Sequence, residues 1–250
     1  MKPTLVFLHG WGQSARVWFA QAEHFSERFD LHFLNLPGHS GVPDAAADDW
    51  VEVLANKLPQ QSSILVGWSL GGIMAMQIAL KYAERVAALA LISTTPSFCM
   101  REGWTDGASS ELLEGFRAGA AAQEAKTLSR FFALMLHGDE LPRSAFNRLA
   151  REAVDKAHPP SRAGMQAGLE ILSDTDLRHE VGRIDKPVLL MHGEQDAIVP
   201  HAAGKYLADH IDQARLESLS PCGHAPMLTR VEEFNETLEA WCRTISVPTK

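Results

Sequence analysis

At 250 residues, 46% hydrophobic and 22% charged, the chain is long enough to bury a sizeable core as one α/β domain. A formal charge of -8 with no basic run excludes an electrostatic grip on nucleic acid, which needs surplus Lys and Arg to displace counterions from phosphates. Three widely spaced cysteines, Cys99, Cys222 and Cys242, form no metal-ligand grouping and suit a reducing compartment.

The amino terminus passes at once into Leu5-Val6-Phe7-Leu8, too short a run for a signal segment or a membrane span, so a cytoplasmic protein away from the membrane is expected. Short apolar runs bounded by turn residues then alternate with segments of helical periodicity, the pattern of a parallel sheet built from βα units. Strands are predicted at residues 5–8, 31–34, 64–66, 88–92 and 188–191, and on a weaker pattern at 214–219. The clearest helix is predicted over 73–82. A closing helix is predicted over 231–245, where Phe234, Leu238, Trp241 and Cys242 share one face.

Between Pro96 and about Glu180 the strand signal disappears. The chain there is rich in Ala, Leu, Glu and Arg, with breaks at Gly138, Pro142 and Pro159-Pro160. This reads as several short helices inserted between two parts of a sheet. The expected division is one domain with a core of residues 1–96 and 181–250 and a helical lid of 97–180 over the carboxyl ends of the strands.

Gly67-Trp68-Ser69-Leu70-Gly71-Gly72 follows a predicted strand and opens a predicted helix, the context of a nucleophile elbow. Such a turn forces strained backbone angles on the serine, and its flanking glycines leave room for the crossing chain. A serine hydroxyl needs a neighbouring base, and the base needs a carboxylate to orient it. In this chain order the acid comes before the histidine. Asp196, in His192-Gly193-Glu194-Gln195-Asp196, and His224, in Pro221-Cys222-Gly223-His224-Ala225-Pro226, both fall on loops at strand ends. The nearest rivals are His192 and His201 for the base and Glu194 for the acid.

The first strand runs into His9-Gly10-Trp11-Gly12, whose glycines let backbone approach a substrate carbonyl. The two N–H donors of an oxyanion hole are expected from Trp11 and Leu70. Leu36-Pro37-Gly38-His39-Ser40-Gly41 shapes the same rim and is given no chemistry. Without clustered ligands or a dinucleotide fingerprint, no metal, nucleotide or flavin cofactor is implied.

These motifs resemble the α/β-hydrolases and, within them, the pimeloyl-[acyl-carrier protein] methyl ester esterases of biotin synthesis. The similarity extends to Pro96-Ser97-Phe98 with Trp104, and to Gly168-Leu169-Glu170-Ile171-Leu172 leading to Asp176-Leu177-Arg178. The resemblance implies an α/β-hydrolase fold, a mostly parallel sheet with a helical lid. It also implies a substrate whose methyl ester caps a seven-carbon chain carried on an acidic carrier protein. In such an enzyme Trp11, Ser69, Leu70 and His224 would touch substrate, and Phe131, Phe132, Ala133, Leu134 and Met135 match the acyl-contacting segment. Lys126, Arg130 and Arg143 match carrier-binding positions; Asn147 departs from an expected arginine, with Arg148 beside it. Residues 126–162 carry seven cations against four anions inside an acidic chain, a patch able to steer an acidic carrier. The chain starts at the first long strand, without the leading hairpin common in that family, and no catalytic residue is expected there. A monomer is expected.

The same triad could serve a general short-chain carboxylesterase, a carbon–carbon hydrolase, a lyase or a perhydrolase. The remaining alternative is a non-catalytic binding protein on a hydrolase scaffold, against which a complete triad argues.

Overall fold

Strands buried on both faces must be apolar throughout, and the predicted runs at 5–8, 64–66, 88–92 and 188–191 are. The computed structural model describes residues 2–122 and 124–245. Among these, β1 (Thr4–Leu8), β2 (Asp30–Leu34), β3 (Ser63–Trp68), β4 (Val86–Ile92), β5 (Val188–Gly193) and β6 (Ala214–Leu219) form one sheet in the order β2-β1-β3-β4-β5-β6. Every pairing is parallel, where the sequence implied a mostly parallel sheet. All six predicted strands are present, each within two residues at either end. β1, β3 and β5 are buried at every position. The edges β2 and β6 are half-exposed and carry Asp30, His32, Arg215 and Glu217, charge that blunts an open edge.

The chain places β2 on one side of β1 and β3 on the other. Such a reversal opens a crevice at the carboxyl ends of the two strands, where ligands bind in open α/β sheets. Trp11 follows β1 and Ser69 follows β3, so both border it.

The helices, in chain order, are α1 (Phe19–Phe25), α2 (Trp50–Ala55), α3 (Leu70–Lys81), α4 (Ser110–Ala122), α5 (Glu124–Met135), α6 (Arg143–Ala153), α7 (Arg162–Asp174), α8 (His201–His210), α9 (Pro226–Thr229) and α10 (Val231–Cys242). The helix predicted over 73–82 begins three residues earlier, because Leu70, Gly71 and Gly72 form its first turn directly on the sheet. None of the helices among the described residues is long and apolar enough to cross a membrane.

Helices α4 to α7 lie between β4 and β5. The motifs around Ser97 and Asp176 bring together the two ends of this insert. Ser97 bridges to Asp176, the Leu177 N–H donates to Pro96 O (2.8 Å), and Trp104 Nε1 donates to Ser97 O (2.9 Å). Arg178 grips Asp176 with two hydrogen bonds of 2.8 Å. A second tie joins the segment between α6 and α7 to the loop after β2: the Ser161 N–H donates to Gly38 O (2.7 Å), and Ser40 Oγ to Asp155 Oδ2 (2.8 Å).

Two buried histidines lie under that loop. His9 Nε2 accepts the Leu36 N–H (3.1 Å), so its proton sits on Nδ1 and is donated to Gly10 O (2.8 Å). His39 Nδ1 likewise donates to Pro37 O (2.8 Å), and the two rings stand 5.2 Å apart. Burial, reinforced by the charge of His39, pushes His9 down to about 3; burial, partly offset by Pro37 O and Asp44, pushes His39 down to about 4. Both stay neutral when folded, whereas the unfolded chain takes up two protons below the ordinary histidine value. Stability therefore falls as pH drops through 6. The expected loss is about 2 kcal/mol between pH 6 and pH 5. Urea denaturation across that range should show it, with the slope roughly halved in His39→Phe.

Candidate active site

Ser69 is the hinge residue between β3 and α3. Its N–H still donates to Ile92 O (2.9 Å) in sheet fashion, while its carbonyl already accepts from Gly72 N (2.9 Å) and from Thr94 Oγ1 (2.7 Å). Satisfying both elements within one residue forces φ to 55° and ψ to −118°, a conformation that serine adopts only under constraint. The turn closes because position 71 is glycine: a Cβ there would lie 2.4 Å from Leu8 O. Leu70 opens α3, so its N–H has no acceptor within the helix.

Asp196 follows β5 and is buried. Its Oδ1 accepts the N–H groups of Ile198 and Val199, both at 2.9 Å, which fixes the carboxylate plane. Its Oδ2 lies 2.7 Å from His224 Nδ1. Burial raises the carboxyl pKa, but the charges of His224 and His192 and the hydrogen bonds from both imidazoles outweigh it and hold the group well below the usual carboxylate range. An ionised carboxylate can only accept, so the proton of this contact sits on His224 Nδ1.

His224 follows β6 and is completely buried. Its loop is held from two sides: the His224 N–H donates to Met135 O (2.9 Å), and Trp68 Nε1, one residue before Ser69, donates to His224 O (2.8 Å). The imidazole and the Trp68 indole have centroids 5.5 Å apart. With Nδ1 committed to Asp196, Nε2 carries the free lone pair, and it is buried with no hydrogen-bond partner.

The sequence rivals fall elsewhere. Glu194 is exposed, and His201 Nε2 bonds Ser218 Oγ (2.7 Å) on the surface of α8. His192 does reach Asp196, at 3.3 Å from Oδ2, but through a nitrogen that also lies 3.0 Å from Val199 O.

The insert packs an apolar wall against Trp11 of the loop after β1. Trp11 is buried, with Nε1 donating to Met165 O (2.9 Å) and its ring seated on Gly168, where a Cβ would come within 2.8 Å. Phe131 meets Trp11 edge to face at 5.1 Å, and Phe116 of α4 contacts both rings. The segment after Arg130 therefore divides. Phe131 is part of the Trp11 cluster, Phe132 packs on Phe146 of α6, Leu134 is half-buried and Ala133 is exposed. Met135 is buried and supplies the carbonyl that holds His224.

Lys126 and Arg130, one helical turn apart on α5, and Arg143, Asn147 and Arg148 on α6 are all exposed. No ion pair among the described residues engages any of these four cations. Phe116, Met165 and the carbonyl of Met135 carried no sequence signal, since they reach the site only through the folding of the insert.

The alpha/beta hydrolase fold family model matches residues 3–231. A pimeloyl-[acyl-carrier protein] methyl ester esterase from Nitrosomonas europaea is 40% identical over 241 residues, 95% of each chain. Proteins of the same name from Aromatoleum aromaticum and Aeromonas hydrophila are 37% and 33% identical, covering 95% of this chain and 97% and 94% of theirs. Among solved structures, an esterase from Exiguobacterium antarcticum superposes with a TM-score of 0.85 at 22% identity, covering 97% of this chain and 92% of that one. An enol-lactonase from Burkholderia xenovorans LB400 gives 0.82 at 20% identity, covering 97% and 92%; these two likenesses concern the fold alone. With the hydrolase model spanning nearly the whole chain and curated relatives matching end to end, the chain belongs to the α/β-hydrolase fold family and, within it, to the pimeloyl-[acyl-carrier protein] methyl ester esterases, which are carboxylic ester hydrolases.

Proposed function

We propose that this protein hydrolyses the methyl ester of pimeloyl-[acyl-carrier protein] in biotin synthesis, with Ser69 as nucleophile, His224 as general base and acid, and Asp196 as the orienting anion. The observation that carries the chemistry is the buried His224, protonated toward Asp196 at 2.7 Å and presenting an unpartnered Nε2 beside the strained Ser69 turn. The substrate rests on the whole-length relatives of that name.

Ser69 Oγ attacks the ester carbonyl as its proton passes to His224 Nε2, forming a tetrahedral oxyanion stabilised by the N–H groups of Leu70 and Trp11. Collapse breaks the bond to the methoxy oxygen, which takes the proton from His224 and leaves as methanol. Water then gives a proton to His224 and its oxygen to the acyl carbon; Ser69 departs with that proton, leaving the free carboxylic acid. Asp196 remains ionised and stabilises the imidazolium in both halves.

The helical insert acts as a lid whose Phe116 and Phe131 form with Trp11, from the loop after β1, the cluster that receives the acyl chain, while the exposed Lys126, Arg130, Arg143 and Arg148 face the acidic carrier. The deciding experiment compares carrier-bound pimeloyl methyl ester with a short nitrophenyl ester. Efficient turnover of the carrier-bound ester is expected; turnover of the short ester alone would retain the triad and remove that substrate. In the double variant Lys126→Glu, Arg130→Glu, KM for the carrier ester should rise about tenfold at low salt while the short ester is unaffected.

A further inference from the structure

We propose that His192 is a positioning residue for ester hydrolysis, sharing the Asp196 carboxylate with His224 and so setting how much negative charge reaches the catalytic imidazole; this rests on the triad assignment above. The geometry is a closed arrangement of three residues. A carbonyl oxygen only accepts, so the 3.0 Å contact of His192 Nε2 with Val199 O places the proton on Nε2. The same N–H is 3.3 Å from Asp196 Oδ2, a three-centre donor. Val199 in turn donates its own N–H to Asp196 Oδ1. Asp196 thus has two backbone donors on one oxygen and two imidazoles on the other, with both histidines and the carboxylate essentially out of solvent.

His192 is rigidly held for this purpose. It is the penultimate residue of β5, and its ring lies against Gly204 of α8, where a Cβ would come within 2.8 Å of Nδ1. The ionisable groups facing this cluster come from three elements. His201 of α8 has its ring 5.7 Å from that of His192, and the charges of Lys205, Glu194 and Asp196 also act on it. Cys222, from the His224 loop, has its thiol pushed up to about 12 by burial and stays neutral.

Each donor on Oδ2 draws on the same lone pairs. While His192 donates, Asp196 stabilises the His224 imidazolium less than a singly engaged carboxylate would. Removing that donor should favour imidazolium in the free enzyme and move the acid limb of the kcat/KM profile to higher pH. It should also loosen the carboxylate, lowering kcat rather than raising KM.

The test measures kcat/KM against pH for wild type, His192→Phe, His192→Gln and His201→Gln on the short ester. In His192→Phe the acid limb is expected about half a unit to one unit higher, with kcat about three- to tenfold lower and KM within twofold. His192→Gln, whose amide N–H can reach the same two oxygens, should return the limb to its wild-type position, and His201→Gln should leave it there. An unmoved limb in His192→Phe, or one that Gln does not restore, overturns the proposal. Should His192→Phe not fold, the histidine tautomers of the wild-type protein decide by nitrogen NMR: Nε2–H at His192 is expected, and Nδ1–H would overturn the role. An inactive wild type with the Nε2–H tautomer would instead count against the triad assignment.

Discussion

Ser69→Ala is expected to lower kcat on any ester by about four to six orders of magnitude, with KM changed only a few-fold, as when the nucleophile of other serine triads is removed. The reason lies in how the site divides its work. The imidazole and carboxylate stay paired at 2.7 Å without the hydroxyl, and the oxyanion donors proposed at Leu70 and Trp11 would still polarise a carbonyl. The residual rate should therefore exceed the uncatalysed one, while the covalent step is lost. Combining Ser69→Ala with His224→Ala should cost scarcely more than either change alone, because the two act as one unit. Burst kinetics with a chromogenic ester would check both points. Independent, multiplicative losses would mean that Ser69 and His224 do not share a proton.

Gly193→Ala is expected to be the most damaging single methyl group in the molecule. A Cβ at position 193 would lie 2.1 Å from Gly223 O and 2.4 Å from Cys222 O, both backbone atoms. No rotamer change can relieve that contact, so the 222–224 loop must move about 1 Å or more, carrying His224 away from Asp196. A stability loss of about 3 to 5 kcal/mol is expected, and in the surviving folded fraction kcat/KM should fall about a hundredfold or more. Gly115→Ala is the control. It lies in α4 with nothing within 4 Å of the added methyl, and should stabilise by up to about 1 kcal/mol. Urea denaturation with kcat/KM for both variants would settle the matter; a stable, active Gly193→Ala would show that the two loops are not packed back to back.

The interior strands were legible because their burial on both faces leaves an apolar run that composition alone reveals, as in Leu5-Val6-Phe7-Leu8. β6 gave a weaker signal since it is an edge: Arg215 and Glu217 face solvent and interrupt the pattern. The helix after Ser69 begins three residues before the predicted 73–82 span, although Gly71 and Gly72 disfavour helix by propensity. Packing overrides that penalty, since larger side chains would strike Leu8 O and Thr94.

The order of serine, acid and histidine, and the strand ends on which they lie, follow from local sequence, because each sits in a short turn whose chemistry is written nearby. The parallel sheet of βα units with its helical insert is equally a property of the one-dimensional pattern, and the resemblance of the motifs implied the α/β-hydrolase fold. Which atoms meet at the site is set instead by three-dimensional packing. That Phe131 and not Ala133 joins Trp11, that the carbonyl of Met135 holds His224, and that His192 shares the Asp196 carboxylate all depend on how the insert and the strand-end loops pack. Periodicity specifies which side of an element is buried, but the partner on that side is set by long-range packing, and at this site the partners establish the protonation states and the apolar wall on which the chemistry depends.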